Sequence, residues 1–357
     1  MLTEQAFTKQ VLGDVRAQIA PEEAALKEVR ERRDTTRAVA EAFEGIRHSF
    51  ASGSLAHGTA NCPIHQRDKG LDADTGVVLD RRSHPTLGPD SAEQDGPTPI
   101  VEAMRDHLRR ELKRDYPQVK FRITKRAILI SFDEPLPGGE DPTVDLVVGL
   151  ERVNKPGLWI PNTEAEDWDP SDPEAHTRLL TTRSDPKALR VTRARAIRLA
   201  KAENKRTGIP PLSSFNLEAF GLMFVEPGMD EPAALLALWE EGARDLRRHR
   251  TPDPAGVSQP IKVLDRPKAI ERLEKAAGQL ALALDHDDDD AKVRTALRPL
   301  WPDFIPERPG EASKARTAAA LRRRSNLGIT GTGVLTTSGG TTLAKRPRSF
   351  GDSRRPS

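Results

Sequence analysis

Asp72 and Asp74 stand one residue apart in LDADTGVVL (71–79), and a third acid, Asp145, stands in TVDLVVGL (143–150). Both stretches are otherwise apolar enough to be strands. Side chains alternate along a strand, so Asp72 and Asp74 face the same way, with Cα atoms roughly 7 Å apart. Two carboxylates at that separation repel each other unless a cation lies between them. Mg²⁺ typically takes one or two carboxylates plus substrate phosphates. If Asp145 lies on a neighbouring strand, three carboxylates can surround two metals, an arrangement suited to phosphoryl transfer. One metal lowers the pKa of an attacking hydroxyl, and the other neutralises the leaving pyrophosphate.

Upstream, Gly53-Ser54 opens GSLAHGT (53–59). Glycine lets a backbone approach a phosphate closely, and a backbone N–H with a serine hydroxyl donates to its oxygens. A lone Asp-x-Asp reads as a solvated turn and a lone Gly-Ser as a loop. The signal lies in their order and in the apolar strands around the acids.

The elements that must position these groups follow from periodicity. Residues 4–48 read as helix, through Val11, Leu12, Val15 and Ile19, then Leu26 and Val29, then Val39, Phe43 and Ile46, with Pro21 starting a second helix. Leu71 to Leu79 is a strand, 83–98 a loop, and Ile100 to Leu112 one face of a helix. Val119, Phe121 and Ile123 alternate as a half-buried strand, with Ala127 to Ile130 as its hairpin partner and Thr143 to Leu150 as a third strand. From about residue 185 the pattern is helical. Ser213-Ser214 forms an N-cap before FNLEAFGLMFV, and further helices cover 232–249, 266–285 and 291–300.

Composition bounds the class. Apolar residues make up 36% and charged residues 31% of the 357, a polar globular chain long enough for a sizeable core. No apolar run approaches the roughly 20 residues that span a bilayer. The N-terminus lacks a signal-peptide layout. A single cysteine, Cys62, excludes an internal disulfide and fits a reducing cytoplasm. Of the net charge of +2, residues 308–357 hold eleven Lys/Arg against two Asp/Glu, so the body is acidic. An acidic body is not the footprint of a protein that holds long nucleic acid.

Gly-Ser, Asp-x-Asp and a later strand Asp, in that order, resemble the polymerase-β-type nucleotidyltransferase superfamily. GSLAHGT, DADTGVVL, TVDLVVGL, WIPNTEAEDWDPSDPEAH, RAIRLAKAENKRTGIPPLSSFNLEAF, DPAG (253–256) and the helices around ERLEKAAGQLALAL narrow the resemblance to the bacterial cGAS/DncV-like nucleotidyltransferases, the CD-NTases, over roughly residues 5–306. It implies an α/β fold with a mixed sheet and a C-terminal helical half. The expected division is a catalytic core with N-terminal helices (1–184), a helical domain completing the cleft (185–308) and a flexible basic tail (309–357). It also implies that Asp72, Asp74 and Asp145 hold Mg²⁺ or Mn²⁺ and that Gly53 and Ser54 contact a triphosphate. Lys201 and Ser214 would bind the donor triphosphate, and Phe215 would stack on a base. The implied activity is synthesis of a cyclic oligonucleotide second messenger from nucleoside triphosphates in anti-phage signalling. A separate effector would read the product, and a partner would modify or bind the tail. The interval from Gly53 to Asp72 departs from the pattern, being long and containing CPIHQRDKG.

Alternatives carry less weight. A related enzyme making linear 2′–5′ oligomers or modifying tRNA would share the motifs, and a catalytically idle sensor would not need the three acids. Cys62-Pro63-Ile64-His65 has metal-ligand spacing but lacks the four ligands of a zinc site. The Asp285–Asp290 run reads as a solvated helix connection, and GITGTGVLTTSGG lacks the Lys of a P-loop. Arg193, Arg195 and Arg198 read as a charged helix face, and Trp159 and Trp168 as core or loop anchors.

Overall fold

The computed structural model describes residues 6–63, 70–136, 140–206, 208–308 and 311–316, with the backbone of 328–329, 335–336 and 341–342. The apolar residues separate into two large cores, one built on a sheet and one among helices.

The sheet half is organised by β1 (Ile46–Ser52), β2 (Asp72–Leu79), β3 (Lys120–Ile123), β4 (Ile128–Ser131) and β5 (Thr143–Glu151), in the order β1-β2-β5-β4-β3. β2 and β5 run parallel, and all other pairings in this sheet are antiparallel. β6 (Leu158–Asn162) pairs with the far end of β5 at Leu150 and Glu151, and β7 (Asp167–Ser171) pairs with β6. Helices α2 (Glu23–Glu41) and α4 (Thr98–Leu112) cover one face. Ala73, Val77 and Leu79 point into that core beside Val29, Met104 and Leu108. Strand alternation therefore sends Asp72, Asp74 and Asp145 to the other face. Farther along that face a small cluster of Phe50, Val78, Leu158 and Ile160 closes the sheet. Gly76 is needed there, since a Cβ would stand 2.2 Å from the Phe50 ring.

The helical half contains α1 (Phe7–Ile19), α6 (Lys187–Lys205), α7 (Ser214–Phe224), α8 (Glu231–Arg248), α9 (Arg266–Leu284) and α10 (Asp290–Leu297). Although α1 begins the chain, its stripe of Val11, Leu12, Val15 and Ile19 belongs to this core, with Ile197, Phe220, Trp239 and Trp301. Between the halves lie α3 (Gly53–His57) and α5 (Pro173–Thr181).

Several local readings differ from the structure. Ile46 belongs to a strand, not a helix, because Gly45 adopts φ +75° and turns the chain out of α2. The β6–β7 hairpin lies where no strand was expected. Arg193 is buried, not part of a solvated face; its guanidinium donates to the Gly221 carbonyl at 3.1 Å and to Asp185 at 2.8 Å. Trp168, by contrast, matches its reading as an anchor: it is a core residue whose indole N–H donates to the Asp95 carbonyl.

Part of CPIHQRDKG, residues 64–69, lies outside the described residues, as does most of the 309–357 tail. Within the tail, Ser313 is buried and its hydroxyl donates to Gln18 on α1. Three two-residue strands, Gly328–Ile329, Leu335–Thr336 and Thr341–Thr342, pair antiparallel. Among the described residues no helix is long and apolar enough to cross a membrane.

Candidate active site

The parallel register of β2 and β5 puts Asp74 directly beside Asp145. Asp72 lies two residues before Asp74 on the same face, where the Thr143 hydroxyl donates to its Oδ1 at 2.7 Å. One carboxylate oxygen from each of Asp72, Asp74 and Asp145 lies within 4.8 Å of the other two. Burial, reinforced by the Asp72 charge, pushes the Asp74 carboxyl up to about 6. Burial, Asp72 and Asp74 together push Asp145 up to about 7. Asp145 Oδ1 is buried without a hydrogen-bond partner. Hard oxygens, mutual repulsion and an orphaned buried acceptor are the features a divalent cation relieves, so the residues fit such an ion.

Gly53 makes the cluster sterically feasible. β1 ends at Ser52, paired with Asp74, and the chain turns sharply into α3. Gly53 takes φ +70°, and a Cβ there would fall 1.7 Å from Asp74 Oδ2. Any side chain at 53 would thus meet both a backbone penalty and the Asp74 carboxylate.

A cleft of about 380 Å³ joins the two halves at this point. Gly53, Ser54 and Asp74 line it from the sheet side, and Lys201, Ser214 and Phe215 from the helical side. All eight residues singled out from sequence are thereby gathered, since Asp72 and Asp145 adjoin Asp74. Ser213 caps α7 in a reciprocal box with Asn216, so Ser214 begins the helix without serving as its cap.

Five further residues line the cleft and were not singled out from sequence: Ser52, Pro173 and the three that can carry charge, His57, His176 and Glu218. Lys201 is buried and donates to Glu218 Oε1 at 2.7 Å and to the Thr59 hydroxyl at 2.9 Å. Thr59 in turn donates to Glu218 Oε1 at 2.6 Å, and His57 Nδ1 stands 3.1 Å from Glu218 Oε2. Burial opposes ionisation of Glu218, but Lys201 and His57 outweigh it and hold its carboxyl well below the usual range. The sequence does carry a hint of this. Glu218 is the one acid in SFNLEAFGLMF, and an acid inside so apolar a helix needs a buried partner.

No family model and no curated protein matches the chain at the sequence level. Solved structures do match. The CD-NTase CdnG of Bradyrhizobium diazoefficiens, in complex with GTP, is similar at 17% identity and TM-score 0.59, over 82% of this chain and 98% of that one. CdnC of E. coli MS115-1, with ATP, is similar at 16% identity and TM-score 0.60, over 84% and 98%. The Vibrio cholerae DncV cyclic AMP-GMP synthase, in complex with the linear intermediate 5′ pppA(3′,5′)pG, is similar at 12% identity and TM-score 0.54, over 85% and 88%. The likeness covers the sheet and the helical half together, and the chain has the fold of the CD-NTases.

Proposed function

We propose that the chain is a nucleotidyltransferase that joins nucleoside triphosphates into a cyclic oligonucleotide messenger, with release of pyrophosphate. One observation carries the reading: three converging carboxylates with an unpaired buried oxygen stand at the edge of a cleft lined by Gly53, Ser54, Lys201, Ser214 and Phe215. Asp72, Asp74 and Asp145 would hold a pair of divalent ions, Mg²⁺ or Mn²⁺. Such ions, when bound, neutralise charge on the pyrophosphate and acidify a nearby hydroxyl.

The chain's own groups bind and align the substrate. The backbone at Gly53 and the Ser54 hydroxyl donate to phosphate oxygens beside the carboxylates. An ammonium has three N–H donors, and Lys201 uses two on Glu218 and Thr59, leaving one for a phosphate. Ser214 adds a hydroxyl at the start of α7, and Phe215 offers a ring to a base. In each transfer a ribose 2′- or 3′-hydroxyl loses its proton and bonds to the α-phosphorus of a second nucleotide. The bond from that phosphorus to the pyrophosphate breaks. A second transfer closes the ring.

The complexes of the structural neighbours support this choice of substrate: GTP in CdnG, ATP in CdnC, and a linear dinucleotide triphosphate in DncV. The same reading supplies an anti-phage setting, an effector for the product and a partner for the tail; a CdnC–HORMA complex exists for one neighbour. Incubation with four labelled nucleoside triphosphates and Mg²⁺ or Mn²⁺, followed by mass analysis, tests it. The expected product resists phosphatase, has no terminal phosphate and accumulates with one pyrophosphate per phosphodiester. A phosphatase-sensitive linear product would overturn the ring, and absence of pyrophosphate with every nucleotide would overturn the transfer.

A further inference from the structure

His176 lies on α5 and lines the cleft, with its side chain 13% exposed. Its ring centroid stands 4.5 Å from that of Phe215, at a 52° tilt, so the two rings touch at an angle in the cleft lining. Its Nε2 stands 2.6 Å from Asp253 Oδ1. Asp253 sits in the loop after α8 with its side chain 1% exposed. It accepts from the backbone N–H groups of Ala255, Val257 and Ser258 and from the Ser258 hydroxyl. Burial opposes its ionisation, but these donors and His176 prevail and hold the carboxyl at about 2.

This geometry fixes the tautomer. An ionised carboxylate only accepts hydrogen bonds, so the proton facing it belongs to His176 Nε2. In the neutral imidazole Nδ1 then carries the lone pair. Nδ1 makes no hydrogen bond among the described residues, and the ring borders the cleft that holds Lys201 and Asp74. Asp253 uses four donors to hold its own turn at 255–258 and its remaining contact to orient His176.

We propose that His176 reads the base of the bound nucleotide: Nδ1 accepts from an N–H donor on the base edge while the tilted Phe215 ring packs against its face, and Asp253 is the positioning residue that sets this tautomer. The inference rests on the nucleotidyltransferase reading and adds how the site distinguishes one base from another. A base edge that offers an amino or imino N–H is favoured over an edge that offers only an acceptor there.

Equilibrium binding of inorganic triphosphate and of ATP, GTP, CTP and UTP, measured by calorimetry with Ca²⁺ in place of a catalytic ion, separates the two readings. Wild-type protein is expected to bind triphosphate and to rank the four nucleotides. His176→Phe keeps a ring against Phe215 and removes the acceptor. It should lose about three- to tenfold affinity for the preferred nucleotide, the worth of one net hydrogen bond, and leave triphosphate unchanged. His176→Gln restores an acceptor without the ring and should regain part of the ranking. Equal loss for triphosphate and nucleotide, an unaltered ranking in both variants, or no ranking in wild type overturns the role of His176. Failure of wild type to bind either triphosphate or nucleotide overturns the nucleotidyltransferase reading beneath it.

Discussion

Two polar clusters, one half-buried and one buried, flank the same cleft, and they balance their charges in opposite ways. Asp72, Asp74 and Asp145 gather like charges, and the carboxyls of Asp74 and Asp145 sit well above their usual range. Lys201, Glu218, His57 and Thr59 gather opposite charges and donors, and Glu218 sits well below its range. Burial disfavours carboxylate ionisation in both sets. The difference is that the second cluster carries its own counter-charge and the first does not. A self-satisfied cluster braces the cleft wall, whereas an unsatisfied one implies an ion from outside the chain.

The largest effect comes from abolishing the unsatisfied cluster. Asp72→Asn with Asp74→Asn should reduce pyrophosphate release to background while the far-UV spectrum stays that of the wild type. The same double variant should melt at a higher temperature than the wild type in chelator, because two repelling charges are gone. Near-normal synthesis by this variant would remove the acids from the site.

The braced cluster should respond in the opposite sense. Glu218→Ala strips the counter-charge from a buried lysine, and breaking a buried pair costs about 3–5 kcal/mol. Urea denaturation reads this directly. The paired replacement Lys201→Met with Glu218→Gln should cost less than Glu218→Ala while still weakening nucleotide binding. Equal costs would mean that the pair is not the brace it looks to be.

Acidity sharpens the contrast. Asp74 and Asp145 hold protons more tightly folded than unfolded, where the usual value is 3.8. The folded protein therefore binds more protons between about pH 4 and 7, and stability from these groups is lost as pH rises through that window. In chelator the wild type should lose several kcal/mol of stability as pH rises across it, since both acids contribute. Asp72→Asn with Asp74→Asn should flatten the curve. A wild-type curve without such a fall would contradict the burial of these acids.

Gly53→Ala should cost at least about 1–2 kcal/mol, the penalty of a side chain in the left-handed region, and more because Asp74 must move to admit the methyl. Its effect on metal affinity should be greater, since the new methyl takes the place of the Asp74 carboxylate. An alanine variant with unchanged Mn²⁺ affinity would show that the turn does not shape the site.

Much of this was legible in sequence because strand alternation is a local rule. It placed Asp72 and Asp74 on one face, and the apolar run around Asp145 marked a further strand. The Ser213 cap was legible for the same reason. The brace was not, because its members come from α3, α6, α7 and the segment after α3, and Glu218 meets His57 across 161 residues. β1 was hidden because Val39, Phe43 and Ile46 continue a helical spacing, and only Gly45 marks the break. The β6–β7 hairpin carries Pro161 and Pro170 and so lacks the alternating pattern that announces a strand. Arg193 looked solvated because a buried arginine and an exposed one have the same sequence signal until the Gly221 carbonyl and Asp185 are placed beside it.

Thermal unfolding in the presence of Mn²⁺ tests the central claim most directly. The wild type, stripped with chelator and then titrated with Mn²⁺, should gain stability as the ion fills the carboxylate cluster, about 2.7 kcal/mol at a hundredfold excess over the dissociation constant. Asp72→Asn with Asp74→Asn should gain nothing, and Lys201→Met with Glu218→Gln should gain as much as the wild type. No Mn²⁺ response in the wild type, or an equal response in the variant without the two acids, would contradict the assignment of the cluster as the metal centre.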